Sequence, residues 1–178
     1  MKHLPSIVAV LAAAASLAVP IACRAASNAT SPLALKIGAL FPANADSREL
    51  GGPTQYVLGL DYTLSGPSSA TSATSVYLDY LGGSRNSGTV HSTGVGVALR
   101  SQGTAYFGAG LGIYSTNVQF DGDEDDPRSS SSSGGAGGKV FAGFELGGGV
   151  SLEFDYHLLP ASAGVNPSGA AIEVGIRL

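Results

Sequence analysis

The chain has 178 residues with nine Lys and Arg against thirteen Asp and Glu, a formal charge of −4. Only 12% of its residues are charged, against roughly 25% in an ordinary soluble domain, yet 44% are hydrophobic and 26 are glycine. An acidic balance of this kind argues against nucleic acid or an anionic surface as partner. The single cysteine leaves no pair for a stapled fold.

Residues 1–25 read as a secretory signal peptide. Lys2 and His3 make a basic start, Ile7 to Val19 is an apolar run, and Cys23 and Ala25 are the small residues that suit cleavage after Ala25. The run is too short for a spanning helix, which needs about 20 apolar residues. Lipidation at Cys23 is a rival reading, set back by Pro20, which stands where Leu, Val or Ile belongs. Cleavage removes Cys23, Lys2 and Arg24 and leaves one domain, residues 26–178, with a charge near −6. Nothing in that remainder is continuously apolar for even ten residues.

Its apolar residues are instead spaced two apart, the period of a strand whose side chains point alternately to opposite faces. Leu33–Phe41 sets Leu33, Leu35, Ile37, Ala39 and Phe41 against Lys36 and Gly38. Gln55–Ser65 sets Tyr56, Leu58, Leu60, Tyr62 and Leu64 against Gly59, Asp61 and Thr63. Thr74–Leu81 places Val76, Leu78 and Tyr80 opposite Tyr77 and Asp79. Ser92–Arg100 places Val95, Val97 and Leu99 opposite Gly94, Gly96 and Arg100. Thr104–Tyr114 alternates Phe107, Leu111 and Ile113 with Tyr106, Gly108, Gly110 and Gly112. Lys139–Gly147 alternates Val140, Ala142, Phe144 and Leu146 with Lys139, Gly143 and Glu145. Val150–Leu158 is the cleanest, with Val150, Leu152, Phe154, Tyr156 and Leu158 against Ser151, Glu153, Asp155 and His157. Ala170–Leu178 closes with Ile172, Val174, Ile176 and Leu178 against Glu173, Gly175 and Arg177.

Eight such segments have the length of about 9–11 residues that a tilted transmembrane strand needs, and an even count suits an antiparallel barrel. Ser101–Gly103 and Gly147–Gly149 are tight turns, whereas residues 42–54, 82–91, 115–138 and 160–169 are long connections; Gly66–Ala73 is longer than a tight turn. The fold expected is an all-β, eight-stranded antiparallel up-and-down transmembrane barrel. Short connections then lie on the periplasmic side and long ones outside.

Period two leaves open which face is the core, and a soluble lipocalin-like barrel binding an apolar ligand would alternate equally. Three features favour the membrane. The polar face is rich in glycine and poor in lysine, a weak water-facing surface. Its charges come in both signs and can pair in a narrow lumen: Lys36, Arg100, Lys139 and Arg177 with Asp61, Asp79, Glu145, Glu153, Asp155 and Glu173. Phe41, Tyr56, Tyr62, Tyr80, Phe154 and Tyr156 lie on the apolar face toward strand ends, where aromatic girdles belong.

On these residues the chain, over 33–178, resembles the small outer-membrane barrels of the OmpA transmembrane-domain and OmpX type. The resemblance implies a monomer in contact with outer-membrane lipid, inserted by the barrel-insertion machinery. That machinery commonly reads a terminal Phe; here the alternation is kept but ends on Leu178. The role expected is structural or surface-interacting and non-enzymatic, through loops 42–54, 82–91 and 115–138, with an extracellular partner met through residues 115–138 and no cofactor.

Other chemistry is weaker. Asp121, Asp123 and Asp125 offer alternate carboxylates for Ca²⁺, but Asp126 stands where a calcium loop of the EF-hand type needs Gly, so a solvated acidic loop is the simpler reading. Ser129–Ser133 and Gly134–Gly138 read as a flexible tract continuing that loop. A lipid-modifying enzyme is the alternative function; lipid A deacylases of this size place a Ser two residues after a His, whereas His91 is followed by Ser92 and Thr93. His157 with Asp155 has no nucleophile beside it. Gly108, Gly110 and Gly112 are not followed by the helical period a phosphate loop requires; they relieve crowding beside Tyr106 and Tyr114.

Overall fold

The computed structural model describes residues 31–65, 72–85, 87–121 and 129–178. The signal-peptide reading of residues 1–25, with Cys23, and the positions Asp123 and Asp125 lie outside them. Eight strands follow one another: β1 Leu33–Pro42, β2 Gln55–Ser65, β3 Ser72–Arg85, β4 Gly88–Ser101, β5 Ala105–Phe120, β6 Ser129–Gly147, β7 Val150–Leu158 and β8 Gly169–Arg177. Each pairs antiparallel with its chain neighbours, and β1 pairs with β8 from Ala34↔Arg177 to Pro42↔Gly169, closing the barrel. The ladder runs one residue further, where Leu178 N–H donates to the Leu33 carbonyl at 2.9 Å.

The two faces differ as the alternation requires. Leu111, Ile113, Phe107 and Leu99 are exposed on the outside, whereas Tyr77, Tyr114, Lys139, His157, Glu153 and Glu173 are buried within. Tight turns lie at one end. There Gly147, Gly148 and Gly149 all have positive φ (92°, 63° and 78°), a run that only glycine enters without strain.

At the other end the strands depart from the sequence-based expectation. Residues 115–138 are not one loop: Ser115–Phe120 continue β5 and pair with Ser129–Gly134 of β6, from Ser115↔Gly134 to Phe120↔Ser129. The Ser and Gly tract is therefore ladder and not a flexible tail. Ser and Gly carry little strand propensity of their own, but β5 offers a complete hydrogen-bonding edge, fixed by the fully buried Thr116 and Val118, and that context prevails. Residues 82–91 shrink likewise, with Gly82–Arg85 in β3 and Gly88–His91 in β4. The β3–β6 half of the wall thus stands above the rest, its β5 extension alone adding about 20 Å at roughly 3.3 Å per residue.

Residues 42–54 contain a short helix, α1 Ala45–Gly51, that caps the raised end. Asn44 starts it by accepting from Ser47 N–H at 2.9 Å. Leu50 is the apolar plug, packed with Val90, Val118, Val165 and Phe120. Gln55 anchors the helix from β2 by donating to the Ser47 carbonyl at 3.0 Å, and Ser87 donates to the Glu49 carbonyl at 2.9 Å. The β7–β8 connection joins the cap, with Ala43 N–H donating to the Ser168 carbonyl at 2.9 Å.

The glycines of the inward face give the interior its rings. A Cβ at Gly94 would stand 2.1 Å from Tyr114 Cδ1, one at Gly96 2.4 Å from the Tyr77 hydroxyl, one at Gly108 2.4 Å from Phe141 Cζ and one at Gly143 2.6 Å from Tyr106 Cζ. Each glycine is the seat of an aromatic side chain. Gly94→Val is expected to displace Tyr114 and cost about 1–3 kcal/mol in urea unfolding from lipid vesicles. Val95→Ala, on the exposed face one residue on, should cost clearly less in the same assay.

Candidate functional site

The interior polar side chains fall into three layers. Nearest the tight turns, Arg100 Nη2 lies 2.8 Å from Glu145 Oε1 and Arg177 Nη2 3.4 Å from the same oxygen. Arg100 also lies over the Tyr106 ring, 4.3 Å from its centroid, a cation–π contact. These groups line a vestibule of ≈ 540 Å³ that opens at the tight-turn end, with Gln102, Gly103 and Gly147 at its rim. A recess of ≈ 30 Å³ extends from that end to Lys36 and Asp61.

The middle layer is built on Lys36 of β1. Its ammonium contacts Glu153 Oε1 at 2.5 Å and Asp61 Oδ2 at 2.8 Å, and Tyr106 donates its hydroxyl hydrogen to the other Glu153 oxygen at 2.9 Å. The Phe141 ring flanks the ammonium, 5.5 Å to its centroid.

Above it, Lys139 of β6 donates to Asp79 Oδ1 at 3.0 Å and lies over the Tyr77 ring at 4.4 Å. Tyr114 donates to Asp79 Oδ2 at 3.0 Å, so one carboxylate is held from two strands. His157 completes this layer, its Nε2 3.2 Å from Glu173 Oε1 and 3.7 Å from Asp155 Oδ2. His157 Nδ1 faces Asp79 Oδ2 at 3.9 Å. Beyond this layer the interior turns apolar, with Leu40, Val57, Leu81 and Leu159 under the α1 cap.

The structure therefore brings together Lys36, Asp61 and Glu153; Arg100, Glu145 and Arg177; and Lys139, Asp79, Asp155 and Glu173. Sequence reasoning passed over Phe141, whose place between Val140 and Ala142 makes it an inward residue by phase alone. It also passed over Leu40, and it gave residues 42–54 no helix, although Asn44 followed by Asp46 and Glu49 is a capping signal. Asp121, outside the interior, follows β5 and donates its N–H to the Ser87 carbonyl at 3.2 Å.

For acyl chemistry the geometry is unfavourable. Ser92 is fully buried, with its hydroxyl 2.8 Å from that of Thr116. His91 projects to the opposite face, where its ring meets that of Tyr80 at 6.2 Å.

No family model and no curated protein sequence matches the chain. Solved structures do. Ail, the attachment invasion locus protein of Yersinia pestis, solved in complex with the heparin analogue sucrose octasulfate, aligns with a TM-score of 0.52 at 11% identity, over 80% of this chain and 94% of that one. The fold is that of the small eight-stranded outer-membrane barrels. The N-terminal β-barrel domain of Pseudomonas aeruginosa OprF (TM-score 0.49, 11% identity, 80% of this chain and 95% of that one) and Neisserial surface protein A (0.48, 10%, 82% and 96%) also match.

A barrel of this type depends on pairing of its interior charges. Asp79→Ala leaves the Lys139 ammonium buried without its carboxylate and should cost about 3–5 kcal/mol. Asp79→Asn combined with Lys139→Met removes both charges and should cost less than Asp79→Ala alone. Urea unfolding in vesicles measures both; a double variant no better than the single one would show that the pair is not coupled.

Proposed function

We propose that the protein is a monomeric outer-membrane barrel with a structural or surface-interaction role, non-enzymatic, whose lumen is closed by its own side chains. The observation that carries this reading is the inversion of the usual polarity. Large apolar side chains ring the outside, Leu60, Leu78, Val95 and Ile113 at neighbouring positions of β2 to β5, while lysines and carboxylates are buried within. In water such a surface would aggregate, whereas in a bilayer it is the lipid-facing band of a barrel whose backbone bonds are all internally satisfied.

Aromatic side chains support the same placement. Tyr56, Tyr80 and Tyr156 stand on the outer face toward the capped end, and Tyr62, Phe107 and Phe144 toward the tight turns, as interfacial girdles do. No helix among the described residues is long and apolar enough to cross a membrane. With the tight turns in the periplasm, the raised β3–β6 wall, including Ser115–Phe120 and Ser129–Gly138, faces outward and forms the surface for an extracellular partner.

A closed interior fits this role better than transport. Eight strands enclose a space that side chains can fill, and here three charged layers and α1 fill it. The surface-interaction role is tested by an epitope inserted after Asp126: antibody should reach it on intact cells, and labelling only after permeabilisation would contradict the orientation. Lipid A from cells with and without the protein should carry the same acyl chains; a difference would contradict the non-enzymatic reading.

Two neighbouring substitutions on β2 separate the faces. Leu60→Arg, aimed at lipid, should cost about 2–4 kcal/mol near the bilayer midplane when folding into vesicles is followed. Gly59→Arg acts on the other side, because a Cβ there already meets Lys36 Cβ at 3.2 Å. Its damage should persist when detergent replaces the bilayer, whereas that of Leu60→Arg should lessen.

A further inference from the structure

The interior charges do not balance in every layer. Arg100 and Arg177 face the single Glu145, and Lys36 is shared by Asp61 and Glu153. The upper layer has one lysine, Lys139, which is bonded to Asp79, while Asp155 and Glu173 have no lysine or arginine ion pair among the described residues. Two carboxylates, 4% and 0% exposed, are thus left to one histidine.

Their hydrogen bonding is incomplete as well. Both Asp155 oxygens, Glu173 Oε2 and His157 Nδ1 have no hydrogen-bond partner among the described residues, although all are buried. Buried polar atoms in proteins are nearly always satisfied, and an unpaired buried carboxylate is far costlier than an unpaired neutral group. Three orphaned carboxylate oxygens beside one imidazole in a closed lumen mark a place built for a cation.

We propose that Asp155, His157 and Glu173 form a three-ligand site for a divalent transition-metal ion of the zinc type, held inside the barrel between β7 and β8. One donor atom from each side chain lies within 4.8 Å of the others. The His157 Nε2 distances of 3.2 Å to Glu173 and 3.7 Å to Asp155 bracket the edge of a tetrahedron around zinc, about 3.3–3.5 Å for bonds of about 2.0–2.2 Å. An imidazole nitrogen with two carboxylate oxygens suits zinc, and the fourth position is left for water.

The surroundings supply what a metal-bound histidine needs. With Nε2 on the ion, Nδ1–H points toward Asp79 Oδ2, now 3.9 Å away, and a carboxylate behind the ring fixes its tautomer. Asp79 is itself held by Lys139 and Tyr114. Two positive charges also cancel the two uncompensated carboxylates. Asp155 and His157 come from β7 and Glu173 from β8, next to each other in register through Glu153↔Glu173 and Asp155↔Ala171. The ion would staple this strand pair and be taken up as the barrel closes, coupling metal binding to folding.

The test uses the full barrel without an affinity tag, refolded into detergent with zinc or with chelator and then desalted. The expected result is one zinc retained per chain, a higher temperature for the heat-induced shift of the folded band, and four-coordinate absorption bands in the visible when cobalt replaces zinc. His157→Gln and Asp155→Asn should each weaken retention more than about tenfold, while His91→Gln keeps it. Retention unchanged in both cluster variants, or lost on neutralising Asp123 and Asp125, overturns the assignment. Should the cluster variants fail to fold, the wild-type chain still decides: no zinc retained, or cobalt without four-coordinate bands, also overturns it.

Discussion

A lysine enclosed on the inner face of a closed sheet has no water to turn to, and Lys36 and Lys139 set the conditions for the rest of this molecule. Each is 5% exposed or less, so each must meet carboxylates brought in from other strands. Lys36 draws β1 to β2 and β7 through Asp61 and Glu153; Lys139 draws β6 to β3 through Asp79. The Lys36–Glu153 and Lys139–Asp79 bonds join strands that are not ladder neighbours, whereas the backbone ladder only links neighbours. A slip of one residue between any two strands would turn the lysines toward lipid and the leucines inward, so charge pairing and register enforce one another.

The same closure explains the composition. A lumen of eight strands cannot accept bulky side chains at every inward position, and here the rings of Tyr77, Tyr114, Tyr106 and Phe141 each lie over the glycine paired with them on the adjacent strand. High glycine content, read alone, suggests flexibility; in this barrel it is shape. The low fraction of charged residues has a related origin. The outer face shows hydrocarbon and the inner face tolerates charges only in compensated groups, so little of the wall remains where an unpaired charge is cheap.

The alternation of Val150–Leu158 and its companions made the strands, the two faces and the closed architecture legible, because period two is a local property that lipid on one side and a filled lumen on the other both enforce. Extents were less legible where the code changes. Ser129–Gly138 has no apolar alternate, so nothing local separates it from a linker, and only the edge offered by β5 makes it strand. α1 was hidden because seven residues carry too little helical period to read, and its position depends on Leu50 finding Val90, Val118 and Val165. The interior charges could be placed on one face from phase alone. Which carboxylate meets which lysine depends on how far each strand is staggered around the barrel, and that is a tertiary quantity. The cluster of Asp155, His157 and Glu173 illustrates this: two members sit on one strand, but the third comes from the next.

The account stands or falls on which face meets lipid, and β5 offers the longest clean series on which to read it. In a chain lacking Cys23, single cysteines placed in turn at 105–113, spin-labelled and reconstituted into liposomes, report collision with oxygen dissolved in the bilayer. The account predicts a period-two profile, with oxygen contact greatest at Phe107, Ala109, Leu111 and Ile113 and least at Tyr106, Gly108, Gly110 and Gly112. The opposite phase, or access of a water-soluble relaxation agent to Leu111 and Ile113, would contradict it.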